Sequence, residues 1–366
     1  MTQPRSALVS LDDTPWYHVV SRCVRHAYLC GTDVHTGASF EHRRGWIAER
    51  LQQLASVFAV DIAAYAVMSN HYHIVLRIDA ERAQYWDRDT VLERWTRLFT
   101  GAEVAQRFRA EPNALCPAEE TLLDTWVETY RSRLQDLSWF MRVLNESIAR
   151  QANAEDGVKG RFWEGRFRSQ ALLDEQAVLT AMAYVDLNPI RAKVAATPEA
   201  SEYTSVAERI AGLQSQSQLK QPAPAETVPQ ETAAEPGNDE VDESPRLLPE
   251  PLLRRLTRAP LMHFDASGRV AAAIPFAFDD YLALVDDTGR VIREDKRGFI
   301  DARTPPLLER LGIEPEEFIV SARILMRQFG SAIGTPTNLT ELCFTRHARH
   351  LRGIATARAL FEQRAA

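Results

Sequence analysis

Cysteine is scarce in this chain: Cys23, Cys30, Cys116 and Cys343 are the four among 366 residues, and no two form a CxxC pair. That excludes a disulfide scaffold and a cysteine-built zinc centre, and it suits a reducing, cytoplasmic setting. Long apolar runs are also missing, and none approaches the roughly 18 residues that mark a membrane-spanning helix. The opening stretch, MTQPRSALVSLDDTPW, lacks a basic segment followed by an apolar one, so no signal peptide is expected. Nor is there an excess of positive charge; the formal net charge is -7. Divided along the chain, that value is uneven. Residues 1–213 carry 24 Lys+Arg against 28 Asp+Glu, residues 214–250 carry 2 against 8, and residues 251–366 carry 17 against 14. The short middle segment supplies most of the acidity. A phosphate-binding surface depends on local clustering, so the overall sign excludes little.

Residues 214–250 are rich in Gln, Pro, Ala and Glu and poor in large apolar side chains. Such a segment cannot bury enough surface to offset chain entropy and reads as a disordered acidic linker. It divides the chain into an N-terminal domain, 1–213, and a C-terminal domain, 251–366. In the first, WYHVVSRC (16–23) reads as a strand, and residues 41–58 carry Ile47, Leu51, Leu54 and Phe58 at helical spacing. AYAVM and HYHIVLRI, joined by Ser69 and Asn70, read as a hairpin. Charged, helical text fills about 80–135, and another helix covers 136–152. KGRFWEGRFRSQALL (159–173) reads as a basic turn and a strand. Residues 174–188 then form a helix capped by Asp174 and ended at Asn188-Pro189. This order predicts an α+β fold, one antiparallel sheet backed by helices. The C-terminal domain reads as mainly helical. Its segments PPLLERLGI and TELCFTRHARHLRG are candidate helices of a helix-turn-helix-like DNA-binding module, with the basic run RHARHLR (346–352) inside the second.

Three groups of residues carry chemistry. On the strand 71–78, period-two alternation places Tyr72, Ile74, Leu76 and Ile78 on one face and His71, His73, Val75 and Arg77 on the other. Two imidazoles at i and i+2 can hold one divalent metal, or they are two surface histidines on a half-exposed strand. On the helix 174–188, Tyr184 and Asn188 lie one turn apart and can present a nucleophile beside an amide ligand. They can equally be a packing tyrosine and a helix-ending asparagine. The third group is the basic turn: Lys159, Arg161, Arg166 and Arg168 interleaved with Phe162, Trp163 and Phe167. Arginine pairs with phosphate and aromatic faces stack on unpaired bases, which suits single-stranded DNA. His18 and Arg22 share a face of the first strand and are further candidate DNA contacts, with a structural histidine the other reading of His18. Tyr65 is a rival nucleophile, in a strand where packing is its simpler role.

Taken together, NHYHIVL (70–76) resembles the His-hydrophobic-His motif of HUH nucleases, and YVDLNPIRA (184–192) resembles the tyrosine-helix motif of REP-associated tyrosine transposases. WYHVVSRC, AYAVMSNHYH and GRFWEGRFRSQ are similar to that family's other signatures, in the same order. The likeness covers about 16–78 and 136–195; the insertion at 80–135 and the C-terminal extension depart from compact members. The resemblance implies a ferredoxin-like sheet with helices on one face, and cleavage and rejoining of single-stranded, hairpin-containing DNA during transposition. It implies that His71 and His73 hold Mg²⁺ or Mn²⁺ with Asn188 as third ligand, and that Tyr184 forms a 5′-phosphotyrosine. A homodimer is implied as well. Two other readings stand beside it: a domesticated DNA-binding protein that no longer transposes, and a metal-dependent hydrolase that activates water.

Overall fold

In the computed structural model the described residues are 8–24, 29–32, 37–218, 245–270, 272–292, 311, 313, 318 and 325–362. Five strands form one sheet in the order β2-β3-β1-β4-β5. They are β1 (Trp16–Arg22), β2 (Val60–Val67), β3 (His71–Ile78), β4 (Arg168–Leu172) and β5 (Ala332–Ile333). The first four are antiparallel, and β5 runs parallel to β4. The hairpin β2–β3 forms about the expected Ser69-Asn70 turn, with β3 over the expected residues and β2 beginning four residues before Ala64, and Met68 N–H donates to the His71 carbonyl at 2.8 Å across it.

Helix α1 (Arg43–Ala55) follows β1 and buries Ile47, Leu51 and Leu54, the apolar positions of its sequence period. After β3 come α2 (Ala80–Gln84), α3 (Arg88–Thr96), α4 (Glu103–Ala110) and α5 (Pro117–Leu134), then α6 (Leu137–Glu155). The inserted helices build a satellite aromatic core: Trp95 stacks on Tyr130 and on Phe99, both at 4.4 Å between ring centroids, with Trp139 of α6 edge-on at 5.7 Å. Offset and edge-on aromatic packing of this kind adds to area burial. The α+β class expected from sequence is what the chain adopts.

The two sheet faces differ in chemistry. On one, Tyr72 Oη donates to Asn145 Oδ1 of α6 at 2.6 Å, and Asn145 Nδ2 donates to Ser21 of β1 at 3.2 Å. The other carries His71 and His73 and is covered by α7 (Glu175–Asp186). The strand β3 therefore lies inside the fold, buried along most of both faces.

Helix α7 begins where Asp174 accepts from the Ala177 N–H at 2.9 Å, as its capping residue requires. Its end differs from the expected stop at Asn188-Pro189. The break falls at Leu187, and Asn188–Arg191 form a short further helix, α8, with Pro189 in its first turn. A proline there loses no hydrogen bond, because first-turn N–H groups have no helical partner. Helix α9 (Ser205–Gln218) likewise extends five residues into the stretch read as linker, and residues 219–244 lie outside the described residues.

Beyond that stretch are α10 (Glu250–Leu253), α11 (Phe278–Ile292), α12 (Leu325–Gln328), α13 (Pro336–Thr345) and α14 (Ile354–Phe361). They are not held apart from the sheet. Ala171 N–H donates to the Ser331 carbonyl at 2.9 Å and Leu173 N–H to Ile333 at 3.0 Å, joining β5 to β4. Asp174 Oδ2 accepts from Thr335 N–H (2.7 Å) and Asn338 Nδ2 (2.9 Å) at the start of α13. At the other end of α7, buried Asp186 accepts from Tyr281 of α11 at 2.6 Å and from Ser205 of α9 at 2.5 Å. Of the helix-turn-helix reading, most of PPLLERLGI lies outside the described residues. TELCFTRHARHLRG is helical only to Thr345; its basic run is a turn in which His347 adopts φ 50°.

Candidate active site

The register of the sheet sets out a polar row. On the face beneath α7, β1 presents His18, Val20 and Arg22, β3 presents His71 and His73, and β4 presents Arg168 and Gln170. Tyr184 of α7 comes down onto this row. Its ring centroid is 5.6 Å from that of His73, edge to face, and 6.1 Å from that of His18. His71 and His73 are 4.9 Å apart, centroid to centroid. The strand face and the helix face thus converge within one chain, and Asn188 and Tyr184 border the same cavity as the two histidines.

That cavity has a volume of about 1170 Å³, larger than the roughly 300–1,000 Å³ of small-molecule pockets. Arg22, Arg166, Arg168, Arg191, Arg327 and Arg352 line it, and no described lining residue is a carboxylate or a lysine. The C-terminal segment contributes Arg352, the end of the basic run RHARHLR, and Arg327, which sequence reading did not single out.

Arg191 is the second missed residue, and the more telling one. Its Nη2 donates to Tyr184 Oη at 3.0 Å and to Asn188 Oδ1 at 3.2 Å, and its guanidinium lies 4.6 Å above the Tyr184 ring. The spacing 184, 188, 191 runs along one side of α7 and α8, because the chain keeps αR geometry at Leu187 and turns on through Pro189. Reading Asn188-Pro189 as a stop hid that stripe. The group that meets the phenol oxygen is therefore a cation, and no carboxylate stands in the described lining.

The histidines are held in their neutral forms. Burial, reinforced by the nearby Arg22 and Arg191 charges, lowers the His71 pKa to about 4. Burial also lowers His18 to about 4, against a small opposing effect from Gln170. His73 is pushed well down by burial first and then by its charged and imidazole neighbours. Neutral imidazole is the metal-binding form. His73 Nε2 is buried without a hydrogen-bond partner, while its Nδ1 lies 3.0 Å from His18 Nε2. His71 Nδ1 is engaged by Asn70 Oδ1 at 2.6 Å, which leaves the opposite ring nitrogen as the acceptor. The Asn188 side chain is buried, and its oxygen, already accepting from Arg191, keeps a second lone pair. Two neutral imidazoles and an amide oxygen fit a divalent cation. Among the described residues no group of three or more His, Cys, Asp or Glu is placed to hold one.

The remaining predicted residues divide. Lys159, Arg161, Arg166 and Arg168 are exposed, and of these Arg166 and Arg168 face the cavity. Arg161 Nε donates to the Trp163 carbonyl at 2.9 Å. Phe167, expected as a stacking platform, is instead turned inward and 9% exposed. Trp163 is half-buried, its indole N–H given to the Asn145 carbonyl at 2.8 Å and its ring edge-on to Tyr72. His18 has no exposed surface, so the reading of it as a DNA contact is corrected to that of a buried histidine behind His73. Tyr65 is on the other side of the sheet, donating to Glu208 Oε2 at 2.8 Å with its pKa raised by burial and that carboxylate.

No protein-family model matches the chain, and no curated protein sequence matches it. Among solved structures it is similar to a REP-associated tyrosine transposase bound to a REP hairpin. The match has a TM-score of 0.33 and 11% identity, over 58% of this chain and 86% of that one.

Proposed function

We propose that this protein is a single-tyrosine DNA strand transferase, acting on single-stranded, hairpin-containing DNA in transposition. The observation that carries the reading is the convergence of Tyr184, His71, His73 and Asn188 on one cavity in which, among the described residues, the charged, non-histidine lining is arginine. In the proposed reaction the Tyr184 oxygen attacks a backbone phosphorus. The bond from phosphorus to the 3′ oxygen breaks, leaving a 3′-hydroxyl and a 5′-phosphotyrosine, while the phenol proton passes to solvent and the departing 3′ oxygen takes one up from solvent. The phosphodiester is conserved in the tyrosine linkage, so the strand can be rejoined without an external energy source. Arg191 stabilises the phenolate, and the other arginines seat the phosphates. His71, His73 and the Asn188 oxygen would hold Mg²⁺ or Mn²⁺, whose role is to polarise the scissile phosphate and offset its developing charge. Because Tyr184 meets His73 within one chain, the chemistry needs no second protomer; a homodimer is a separate proposal. Among the described residues no helix is long and apolar enough to cross a membrane.

The test is incubation with Mg²⁺ and end-labelled single-stranded hairpin DNA, followed by a denaturing gel. A covalent adduct that Tyr184→Phe abolishes is the expected result. Cleavage that survives Tyr184→Phe would replace this reading with hydrolysis by activated water. Binding with neither cleavage nor adduct would replace it with a domesticated DNA-binding protein.

A further inference from the structure

Behind His73 a chain of hydrogen bonds runs across three strands and ends on the C-terminal segment. His73 Nδ1 is 3.0 Å from His18 Nε2, and His18 Nδ1 is 3.4 Å from Gln170 Oε1. Gln170 Nε2 donates to the Gly330 carbonyl at 2.7 Å and lies 3.4 Å from the Phe329 carbonyl. His18, His73 and Gln170 are all buried. The polarity of this chain is fixed from one end. Backbone carbonyls only accept, so the Gln170 amide nitrogen must face Phe329 and Gly330 and its oxygen must face His18. His18 then carries its proton on Nδ1 and accepts on Nε2. His73 must in turn carry its proton on Nδ1, which strips Nε2 of hydrogen. That is the atom left buried and unpartnered at the cavity.

We infer that Gln170 and His18 are positioning residues, anchored by the Gly330 carbonyl, that fix His73 as the Nδ1–H tautomer and aim its Nε2 lone pair into the site. The inference rests on the metal-binding role proposed above for His73, but its structural content does not need a bound metal. It also gives the C-terminal segment a part in the site: a strand pairing across the acidic stretch presents the carbonyl that orients a ligand. Free neutral imidazole favours the other tautomer, so the arrangement is a distinctive one to detect. Outer-shell partners of metal-bound histidines act in this way, and their loss typically weakens metal affinity by roughly 10–100-fold.

The experiment uses the full chain, free of metal, labelled with ¹⁵N-histidine, and reads imidazole tautomers by long-range ¹H–¹⁵N NMR. His18 and His73 should both be protonated on Nδ1. In Gln170→Met and His18→Leu, His73 should lose that preference. His18→Gln, whose amide can accept from His73 and donate to Gln170, should restore it. Mn²⁺ binding without DNA, followed by electron paramagnetic resonance, should weaken by roughly 10–100-fold in the first two variants and recover in the third. Unchanged His71 resonances would report an intact fold, and should Gln170→Met fail to fold, the His18 pair supplies the comparison. Protonation of wild-type His73 on Nε2, or a tautomer indifferent to both disruptive variants, would overturn the inference. A correct tautomer with no Mn²⁺ binding and no Tyr184 adduct would instead overturn the functional reading and leave the relay standing.

Discussion

Arg191 offers the sharpest quantitative test of the proposed chemistry. One of its nitrogens donates to both the Tyr184 oxygen and the Asn188 oxygen, with the guanidinium 4.6 Å over the phenol ring. Replacing it with Met keeps apolar volume over the ring and removes the charge and both hydrogen bonds. A hydrogen bond to a charged group contributes about 1.5–3 kcal/mol, and this one strengthens as the phenol becomes a phenolate. At about 1.4 kcal/mol per tenfold, Arg191→Met should slow adduct formation by roughly 10- to 150-fold. Loss of a single oxyanion donor in other enzymes costs roughly 10²- to 10³-fold, which meets the upper end of that range. Arg191→Lys keeps the charge but cannot reproduce the planar fork, so it should recover part of the rate and not all of it. The assay is single-turnover formation of the Tyr184–DNA adduct at saturating DNA, which separates the chemical step from binding. A Met variant within about threefold of wild type at saturation would refute a role for Arg191 at the nucleophile, since the worked minimum is about tenfold. A defect cured by more DNA would move Arg191 from the chemical step to phosphate seating.

Three further outcomes follow from the same geometry. Replacing Arg168 or Arg352 with Gln should lower single-stranded DNA affinity uniformly across sequences and reduce the slope of log K against log salt by about 0.7 per arginine; an unchanged slope would remove that residue from the phosphate track. Asp186→Ala strips the acceptor from Tyr281, Ser205 and the Val206 N–H in a site with no exposure. Urea unfolding should show a loss of about 3–5 kcal/mol, and a loss under 1 kcal/mol would contradict the network's role. The third concerns acid. The folded pKa of His18 is depressed to about 4 from 6.5, so the unfolded chain takes up the proton first as pH falls below 6.5. Stability is complete above that pH and should drop by about 3 kcal/mol on approaching pH 4. His18→Gln should make that part of the urea-midpoint profile shallower by this share, with His71 and His73 supplying the slope that remains, and identical profiles would contradict the depressed His18 pKa.

Much of the site was legible because its elements obey simple periods. Alternation in HYHIVLRI put His71 and His73 on one face, and helical spacing put Tyr184 with Asn188; the structure brings both pairs to one cavity. The depth of the site was not legible. Alternation alone is equally compatible with a half-exposed strand, whereas β3 is an inner strand with α6 and α7 on opposite faces, and burial is what holds His71 and His73 neutral. Gln170 and His18 become partners only through the register of β1 against β4, which pairs them across strands from positions 152 residues apart. A strand of two residues, Ala332–Ile333, carries no periodicity to read, so the segment that closes the sheet was invisible as a strand. Phe167 and Trp163 misled for the opposite reason. Aromatics between arginines suit both stacking on bases and anchoring a basic turn, and here the ring of Phe167 packs inward while Trp163 anchors to α6.

The helix that carries Tyr184 is fastened at both ends by carboxylates, and both reach across the acidic stretch. Asp174 caps α7 with one oxygen and holds Thr335 and Asn338 with the other. Asp186, at the far end, holds Tyr281. Between those ends, Gln170 ties the strand beneath to Gly330. A nucleophile must stay within a fraction of an ångström of its productive position, and local helix stability alone does not fix a helix against a sheet. The spacing between α7 and the His71–His73 row is therefore set by the C-terminal segment as much as by the hairpin that bears the histidines. Gly353 shows how tightly that segment is fitted: at φ +113° a Cβ would come within 2.5 Å of the Phe329 ring, next to the carbonyl on which the relay ends. A chain truncated before residue 245 would keep the whole HxH and tyrosine motif set. It would lose the anchors that make the set a site.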